Sequence, residues 1–226
     1  MNKLVASAAE AVADIPDGAT IMVGGFGNAG VPEALTLALV ARGVRNLTLI
    51  SNGTGEGDSG VVQLIHHRQV RKVVVSFPAP GRSPDFEEQY SAGQIALELV
   101  PQGTLIERIR AGGAGIPAFY TPTAVGTPLA EGKEQRDFGG RTHLLEEALH
   151  ADFALIRGYQ ADAWGNVIYR KTARNFNPMM ATAATITIVE VESIVPIGSL
   201  DPEAIVTPSV FVQRVVHARR SRRPVP

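Results

Sequence analysis

The chain has 226 residues, 45% of them hydrophobic and 19% charged, which supplies apolar material for one large core, or two small ones, and argues against a disordered chain. It contains no cysteine, so disulfides, a thiolate nucleophile and cysteine-bound metal are excluded, and a reducing cytoplasm is the expected location. A net charge of −1 gives no bias toward nucleic acid or membrane, and neither is expected as a partner.

The opening stretch, MNKLVASAAEAVADIPDG, is interrupted by Glu10 and Asp14 and does not read as a signal peptide. No apolar run approaches the roughly 20 residues needed to span a bilayer. Leu4, Ala8, Ala11, Val12 and Ile15 are spaced as one face of a first helix. Asp17-Gly18 marks a turn, and Thr20 to Val23 is a buried strand running into glycines. Pro32 to Arg42 reads as a helix, with proline in its first turn and Gly43 at its stop. Asn46 to Ser51 is the next strand, Gly60 to His67 a short helix, and Lys72 to Ser76 a third strand. Asp85 to Ala92 is helical in pattern, Ile95 to Val100 a strand, and Leu105 to Ala111 a helix.

A Gly/Pro-rich stretch from Gly112 to Gly132 is too long for an ordinary connection. Strands are expected again at Thr142–Leu145, Phe153–Arg157, Val167–Tyr169 and Thr185–Val191. Apolar strands alternating with helices imply a sheet covered on both faces. The fold class is therefore α/β: a single open α/β/α domain with a largely parallel sheet over residues 1–216. A basic flexible tail follows at 217–226. It carries Arg219, Arg220, Arg222 and Arg223, and without these four the net charge of −1 becomes −5. The tail reads as a frayed, solvated end.

In open α/β sheets ligands sit beyond the carboxyl ends of the strands. Three strand ends stand out. The first is Gly24-Gly25-Phe26-Gly27-Asn28-Ala29-Gly30-Val31-Pro32, whose glycines permit close backbone approach. The amides and dipole of the following helix suit an anion. Gly25, Gly27 and Gly30 have the GxGxxG spacing of a dinucleotide loop, but the acidic residue expected after the second strand is replaced by Ser51-Asn52. The second end, Ser51 to Gly60, repeats the spacing at Gly55, Gly57 and Gly60 and offers the Asn52 amide. The third is Pro101-Gln102-Gly103, where a glutamine directly after a strand can hold an amide donor for a developing oxyanion. On the residues alone the plainer reading is favoured there: a surface glutamine ahead of a helix capped by Thr104.

Other residues point less far. Glu87-Glu88, Glu146-Glu147 and His66-His67 are adjacent pairs whose side chains diverge, and they read as solvated faces. The five histidines lack metal-ligand spacing, and no metal is expected. Arg170 to Asn175 forms a basic cluster that suits a carboxylate, a phosphate or a partner chain. The residues thus offer a glycine-floored, anion-friendly cleft without an obvious nucleophile or base.

Taken jointly, the segments resemble the A-type (alpha) chains of the family I CoA-transferases. Asp17-Gly18-x-x-Ile21-Met22-Val23-Gly24-Gly25-Phe26-x-x-x-Gly30-x-Pro32 resembles the family's first signature. Ser51-Asn52, Pro101 to Gly115, Pro117 to Thr123, Ala151 to Leu155 and Arg170 to Phe176 extend the likeness from about Asp17 to Val216. The resemblance implies CoA binding by Gly24, Gly25, Phe26, Gly27, Asn28, Ala29 and Gly30. It implies oxyanion stabilisation by Gln102 and a place for Asn52 in the substrate pocket. It implies no permanently bound cofactor, a coenzyme A thioester as substrate, and a B-type partner chain in a heterodimer or α2β2 assembly.

The implied reaction moves CoA from succinyl-CoA to a 3-oxoacid by a ping-pong route. Its nucleophilic glutamate belongs to a Ser-Glu-Asn-Gly segment of the B-type chain, which this chain lacks. Glu56 lies in a glycine-rich loop of different context. The details favour 3-oxoadipate slightly over acetoacetate as acceptor. Gly53 departs from the Ser-Asn-Asn usual in the A-type chains that this one resembles, which puts the acyl preference in doubt. The residues also leave open a non-catalytic ligand-binding relative and a nucleotide-binding oxidoreductase domain.

Overall fold

The computed structural model describes residues 2–55 and 60–218. The arginines of the basic tail and Glu56 to Ser59 lie outside the described residues.

Seven strands form the path of the main sheet: β1 (Thr20–Val23), β2 (Leu47–Ile50), β3 (Val70–Val75), β4 (Ala96–Leu99), β8 (Ala151–Asp162), β10 (Ala184–Val195) and β11 (Arg214–His217). Their order is β11-β10-β8-β1-β2-β3-β4, and each neighbouring pair is parallel. An eighth strand, β9 (Val167–Ile168), pairs antiparallel with β8. Helices α1 (Ala8–Ala11), α2 (Glu33–Arg42), α3 (Val61–His66) and α4 (Pro84–Ser91) cover one face, and α5 (Gln102–Gly113) and α6 (Asn177–Thr182) the other.

Side-chain alternation along each strand feeds two cores. Ile21 and Val23, Leu49, Val73 and Val75, Leu155 and Ile188 point into the core beneath α1 to α4. Met22, Ile50, Val74, Ala154, Ile156 and Val189 point into the core beneath α5 and α6. This is the doubly covered, largely parallel sheet that the apolar strands imply.

Three elements differ from expectation. The first helix is only Ala8–Ala11, with Ser7 Oγ accepting from the Glu10 amide at 3.1 Å. Leu4 is drawn instead into a parallel bridge with Val215, so sheet pairing outweighs the helical spacing. The Gly/Pro-rich stretch holds β5 (Ala118–Thr121), which joins β7 (Arg141–Glu147) and β6 (Gln135–Phe138) in a separate antiparallel sheet packed against α5. Strand β11 ends at His217, within the segment expected to be tail, and continues the main sheet.

Candidate active site

The carboxyl ends of β1, β2, β3 and β4 surround a cavity of about 450 Å³. The three strand ends singled out in the sequence meet here. Gly24, Gly25, Phe26, Gly27 and Asn28 come from β1, Ser51, Asn52 and Gly53 from β2, and Gln102 from the end of β4. The β3 end adds Ser76, Phe77 and Ala79, which sequence reasoning missed. Among the described residues that line it, none carries a titratable side chain. Phe26 and Phe77 are 51% and 48% exposed, so two aromatic rings remain open to solvent at its border.

Gln102 is the first residue of α5, and its N-cap is Pro101. Thr104 does not cap the helix; it is buried, and among the described residues its hydroxyl has no hydrogen-bond partner. Gln102 is exposed, as the plainer reading has it, and it also lines the cavity; only the expected cap at Thr104 is replaced, by Pro101. Gln102 Nε2 donates to Asn52 Oδ1 at 2.7 Å. Asn52 is buried and held at both ends. Its carbonyl accepts from the Ser76 and Phe77 amides, each at 3.1 Å, and from Ser76 Oγ at 2.8 Å. Ser76 Oγ also lies 3.1 Å from Asn52 Oδ1. Among the described residues, Asn52 Nδ2 has no hydrogen-bond partner, and one N–H of Gln102 is left over as well. Two side-chain amides, each fixed through one atom, thus keep donors free beside the cavity. Preorganised amide donors of this kind are what a developing oxyanion requires.

Gly53 packs its backbone against β3, and a Cβ there would sit 2.6 Å from the Phe77 carbonyl oxygen. The departure from Ser-Asn-Asn is therefore a close contact with a neighbouring main chain.

The glycine loop is built differently from the expected anion cradle. Its Phe26 and Ala29 exchange both backbone hydrogen bonds at 3.0 Å around Gly27 and Asn28. Ala29 and Gly30 do not line the cavity; the Ala29 carbonyl accepts from Asn175 Nδ2 at 2.9 Å, and the Gly30 carbonyl from Asn177 Nδ2 at 3.0 Å. Gly24 has no room for a side chain, since a Cβ would lie 1.9 Å from Asn177 Oδ1.

The first-turn amides of α2 are already taken. The Glu33 amide donates to the Val31 carbonyl at 3.0 Å, and the Leu35 amide to Glu190 Oε2 at 3.0 Å. Glu190 is fully buried on β10, and burial pushes its pKa from 4.5 up to about 7, partly offset by Arg157 and the α2 amides. The negative charge that this helix end attracts is thus supplied from within the chain. The α2 amides at Glu33 and Leu35, which the sequence offered to an external anion, are bonded within the chain.

The other sequence features lie elsewhere. His66 Nδ1 contacts Asp85 Oδ2 at 2.9 Å on the surface. Glu146 is not solvated as its pairing with Glu147 implied: it is 3% exposed and bonded to Lys133, because β7 turns it under the small sheet. The basic cluster packs its backbone on the glycine loop, where the Ala173 carbonyl touches Gly30. Among the described residues, no group of three His, Asp or Glu side chains could hold a metal ion. No helix there is long and apolar enough to cross a membrane.

Comparison with known families gives a match to the Coenzyme A transferase model over residues 5–218. The chain belongs to the coenzyme A transferase family. Among its relatives, the A-type chain of the 3-oxoadipate CoA-transferase of Pseudomonas putida is 56% identical over 216 residues, covering 96% of this chain and 94% of the relative. The A-type chain of a probable succinyl-CoA:3-ketoacid coenzyme A transferase of Bacillus subtilis is 51% identical over 216 residues, covering 96% and 90%. The crystal structure of an acyl-CoA transferase from Escherichia coli O157:H7 superposes with a TM-score of 0.85 at 25% identity. It covers the whole of this chain, which spans half the length of that one. Glutaconate coenzyme A-transferase from Acidaminococcus fermentans shares the fold, with a TM-score of 0.83 at 22% identity over 96% of this chain and 76% of that one. The cavity at the strand ends is therefore a candidate active site of a CoA-transferase chain.

Proposed function

We propose that this chain is the A half of a two-chain enzyme that moves CoA from succinyl-CoA to a 3-oxoacid, with 3-oxoadipate slightly preferred over acetoacetate. The observation that carries the reading is the cavity's chemistry: amide donors from Asn52 and Gln102, and no titratable side chain among its described lining residues. This is the electrophile-stabilising half of an acyl-transfer site. That chemistry supports a nucleophile supplied by a glutamate of a B-type chain, in a heterodimer or α2β2 assembly.

The glutamate carboxylate attacks the thioester carbonyl of succinyl-CoA. Collapse of the tetrahedral adduct expels CoA thiolate and leaves a succinyl-glutamyl anhydride. The thiolate then attacks the glutamyl carbonyl and expels succinate, giving a glutamyl-CoA thioester. The 3-oxoacid carboxylate repeats these two steps in reverse, regenerating the glutamate and forming 3-oxoacyl-CoA. Each tetrahedral stage places negative charge on one oxygen, where the spare N–H groups of Gln102 and Asn52 stabilise it.

The same reading assigns the thioester end of the substrate to this chain. The described lining holds no cation, and Glu190 occupies the α2 amides. Gly24 to Asn28 then contact the uncharged thioester end of CoA, and the nucleotide phosphates lie outside this cavity. The thioester is a substrate, and no permanent cofactor is called for.

Co-expression with a B-type chain should give a stable complex that transfers CoA from succinyl-CoA, assayed with 3-oxoadipate and acetoacetate side by side. Full-rate transfer by this chain alone would overturn the reading.

A further inference from the structure

Resting on the transferase reading, we propose that Glu190, with Arg157 and Asn177, is a buried positioning device that sets the glycine-loop wall of the cavity.

Strands β8 and β10 present Phe153 and Leu155, and Ile186 and Ile188, to the core beneath α1 to α4. Two residues further along each strand, on the same face, stand Arg157 and Glu190. They are paired in register, and Arg157 Nη1 lies 2.6 Å from Glu190 Oε1. A charged pair thus occupies the position where the pattern calls for two more apolar side chains. Desolvation offsets most of the attraction within such a pair, and apolar residues of similar volume commonly stabilise as well or better. Stability alone does not account for this pair, so its geometry is what needs explaining.

That geometry leads to the cavity by two routes. The second carboxylate oxygen of Glu190 holds the Leu35 amide at 3.0 Å and so fixes the start of α2, where the glycine loop ends. The backbone amide of Arg157 donates to Asn177 Oδ1 at 3.0 Å. Asn177, fully buried, donates through Nδ2 to the carbonyls of Gly30 and Ala173 at 3.0 and 2.8 Å and packs against Gly24. Both ends of the loop, Gly24 and Gly30, are therefore held by one side chain, and the helix beyond it by another. Gly24 to Asn28 form a wall of the cavity, so a shift of this clamp moves the wall relative to Asn52 and Gln102. Glu190 acts through other groups and is not itself among the lining residues.

The test compares two variants in the assembled two-chain enzyme and in the full chain. Glu190→Gln keeps an acceptor for the Leu35 amide and removes the charge facing Arg157. Glu190→Leu with Arg157→Met replaces the pair by apolar side chains. Thermal melting, kcat and KM for succinyl-CoA are measured on the complex, and amide hydrogen exchange at residues 24–30 and at Leu35 on the chain. The double variant leaves the Leu35 amide without its acceptor and should melt somewhat below wild type but remain folded, lose about tenfold or more in kcat with a smaller change in KM, and exchange faster at those amides. Glu190→Gln should show the same changes, smaller in size. Wild-type kcat and unchanged loop exchange in a folded double variant overturn the proposal. If the double variant does not fold, the same result in Glu190→Gln overturns it. Absence of CoA transfer by the wild-type complex would count against the transferase reading alone, because loop exchange still reports the clamp.

Discussion

Replacing Gln102 by alanine separates a role in the transition state from a role in the fold. The residue is exposed, sits at the first position of α5, and makes one side-chain hydrogen bond, to Asn52 Oδ1. Alanine is the best helix former and needs no partner there, so the structural cost is the loss of that one bond, about 1 kcal/mol. Asn52 keeps its bonds to Ser76 and Phe77 and stays in place. The chemical cost is larger. A preorganised donor to an oxyanion contributes about 2.7–4 kcal/mol, which corresponds to a loss of roughly 10²–10³-fold in kcat. Asn52 Nδ2 remains as a second donor, which places the expected loss toward the lower end of that range. The assay is steady-state CoA transfer by the reconstituted complex, with a thermal melt on the same preparation. A melt within a few degrees of wild type together with the stated fall in kcat supports the assignment. Wild-type kcat in the folded complex would refute it, as would a rise in KM with kcat unchanged, since that pattern marks ground-state binding.

Gly53→Asn forces a Cβ to within 2.6 Å of the Phe77 carbonyl oxygen, so the strap that holds Asn52 must move. The expected outcome is a fall in kcat of about tenfold and a changed ratio of rates with 3-oxoadipate and acetoacetate, read by parallel assays. Gly24→Ala pushes Asn177 out of its seat and breaks its bonds to Arg157 and Gly30; a loss of about 2–4 kcal/mol is expected in urea unfolding. Glu190 gives a pH signature. Burial raises its carboxyl to about 7 in the folded chain, against 4.5 for the free group. The unfolded chain therefore gives up this proton first, and the stabilisation present below about pH 4.5 is lost as pH rises through about 7, an effect on the order of 3 kcal/mol. Glu190→Gln does not titrate, so the unfolding free energy of wild type should fall relative to this variant across that window. A flat difference would contradict the burial argument.

The strands that build the cavity were legible because each is a short, mostly apolar run ended by glycine, proline or a polar residue. Thr20 to Val23 is recovered residue for residue, and β2, β3 and β4 within two residues at each end. The meeting of Gly24 to Asn28, Asn52 and Gln102 followed from the rule that ligands gather at carboxyl ends of parallel strands. The small sheet was hidden because β6 is Gln-Arg-Asp-Phe, exposed throughout, and carries no apolar alternation. From sequence, Ser76 reads only as a strand end and Phe77 is passed over, although a serine and an aromatic residue after a buried strand are a usable signal. The occupancy of the α2 amides could not be found from local sequence, since Glu190 lies 155 residues from Leu35. Its trace is a glutamate at an inward position of the apolar run Thr185 to Val191. In such a strand, period 2 makes a buried carboxylate visible once the facing element is known.

These residues divide the labour in a particular way. Charged groups stand behind the cavity wall, and neutral amides face the cavity. A charge in the wall would bind substrate and transition state alike, which lowers KM without raising kcat. Side-chain amides held by Ser76 and each other respond to charge only as it develops, and on the proposed reading the clamp of Glu190, Arg157 and Asn177 keeps the opposite wall at a set distance from them. On the proposed two-chain reading, a half-site of this kind gains nothing from a nucleophile of its own. It needs stiffness, because an attacking group carried by a second chain would meet the thioester carbonyl productively only when the oxyanion donors are already in place. On this argument, loosening the wall should slow every partial reaction that passes through a tetrahedral oxyanion by a similar factor. Formation of the glutamyl-CoA thioester and its consumption by the 3-oxoacid should decline together in Glu190→Gln, as read by rapid-quench kinetics of each half-reaction. Slowing of only one half-reaction would place the effect in substrate recognition and not in the wall.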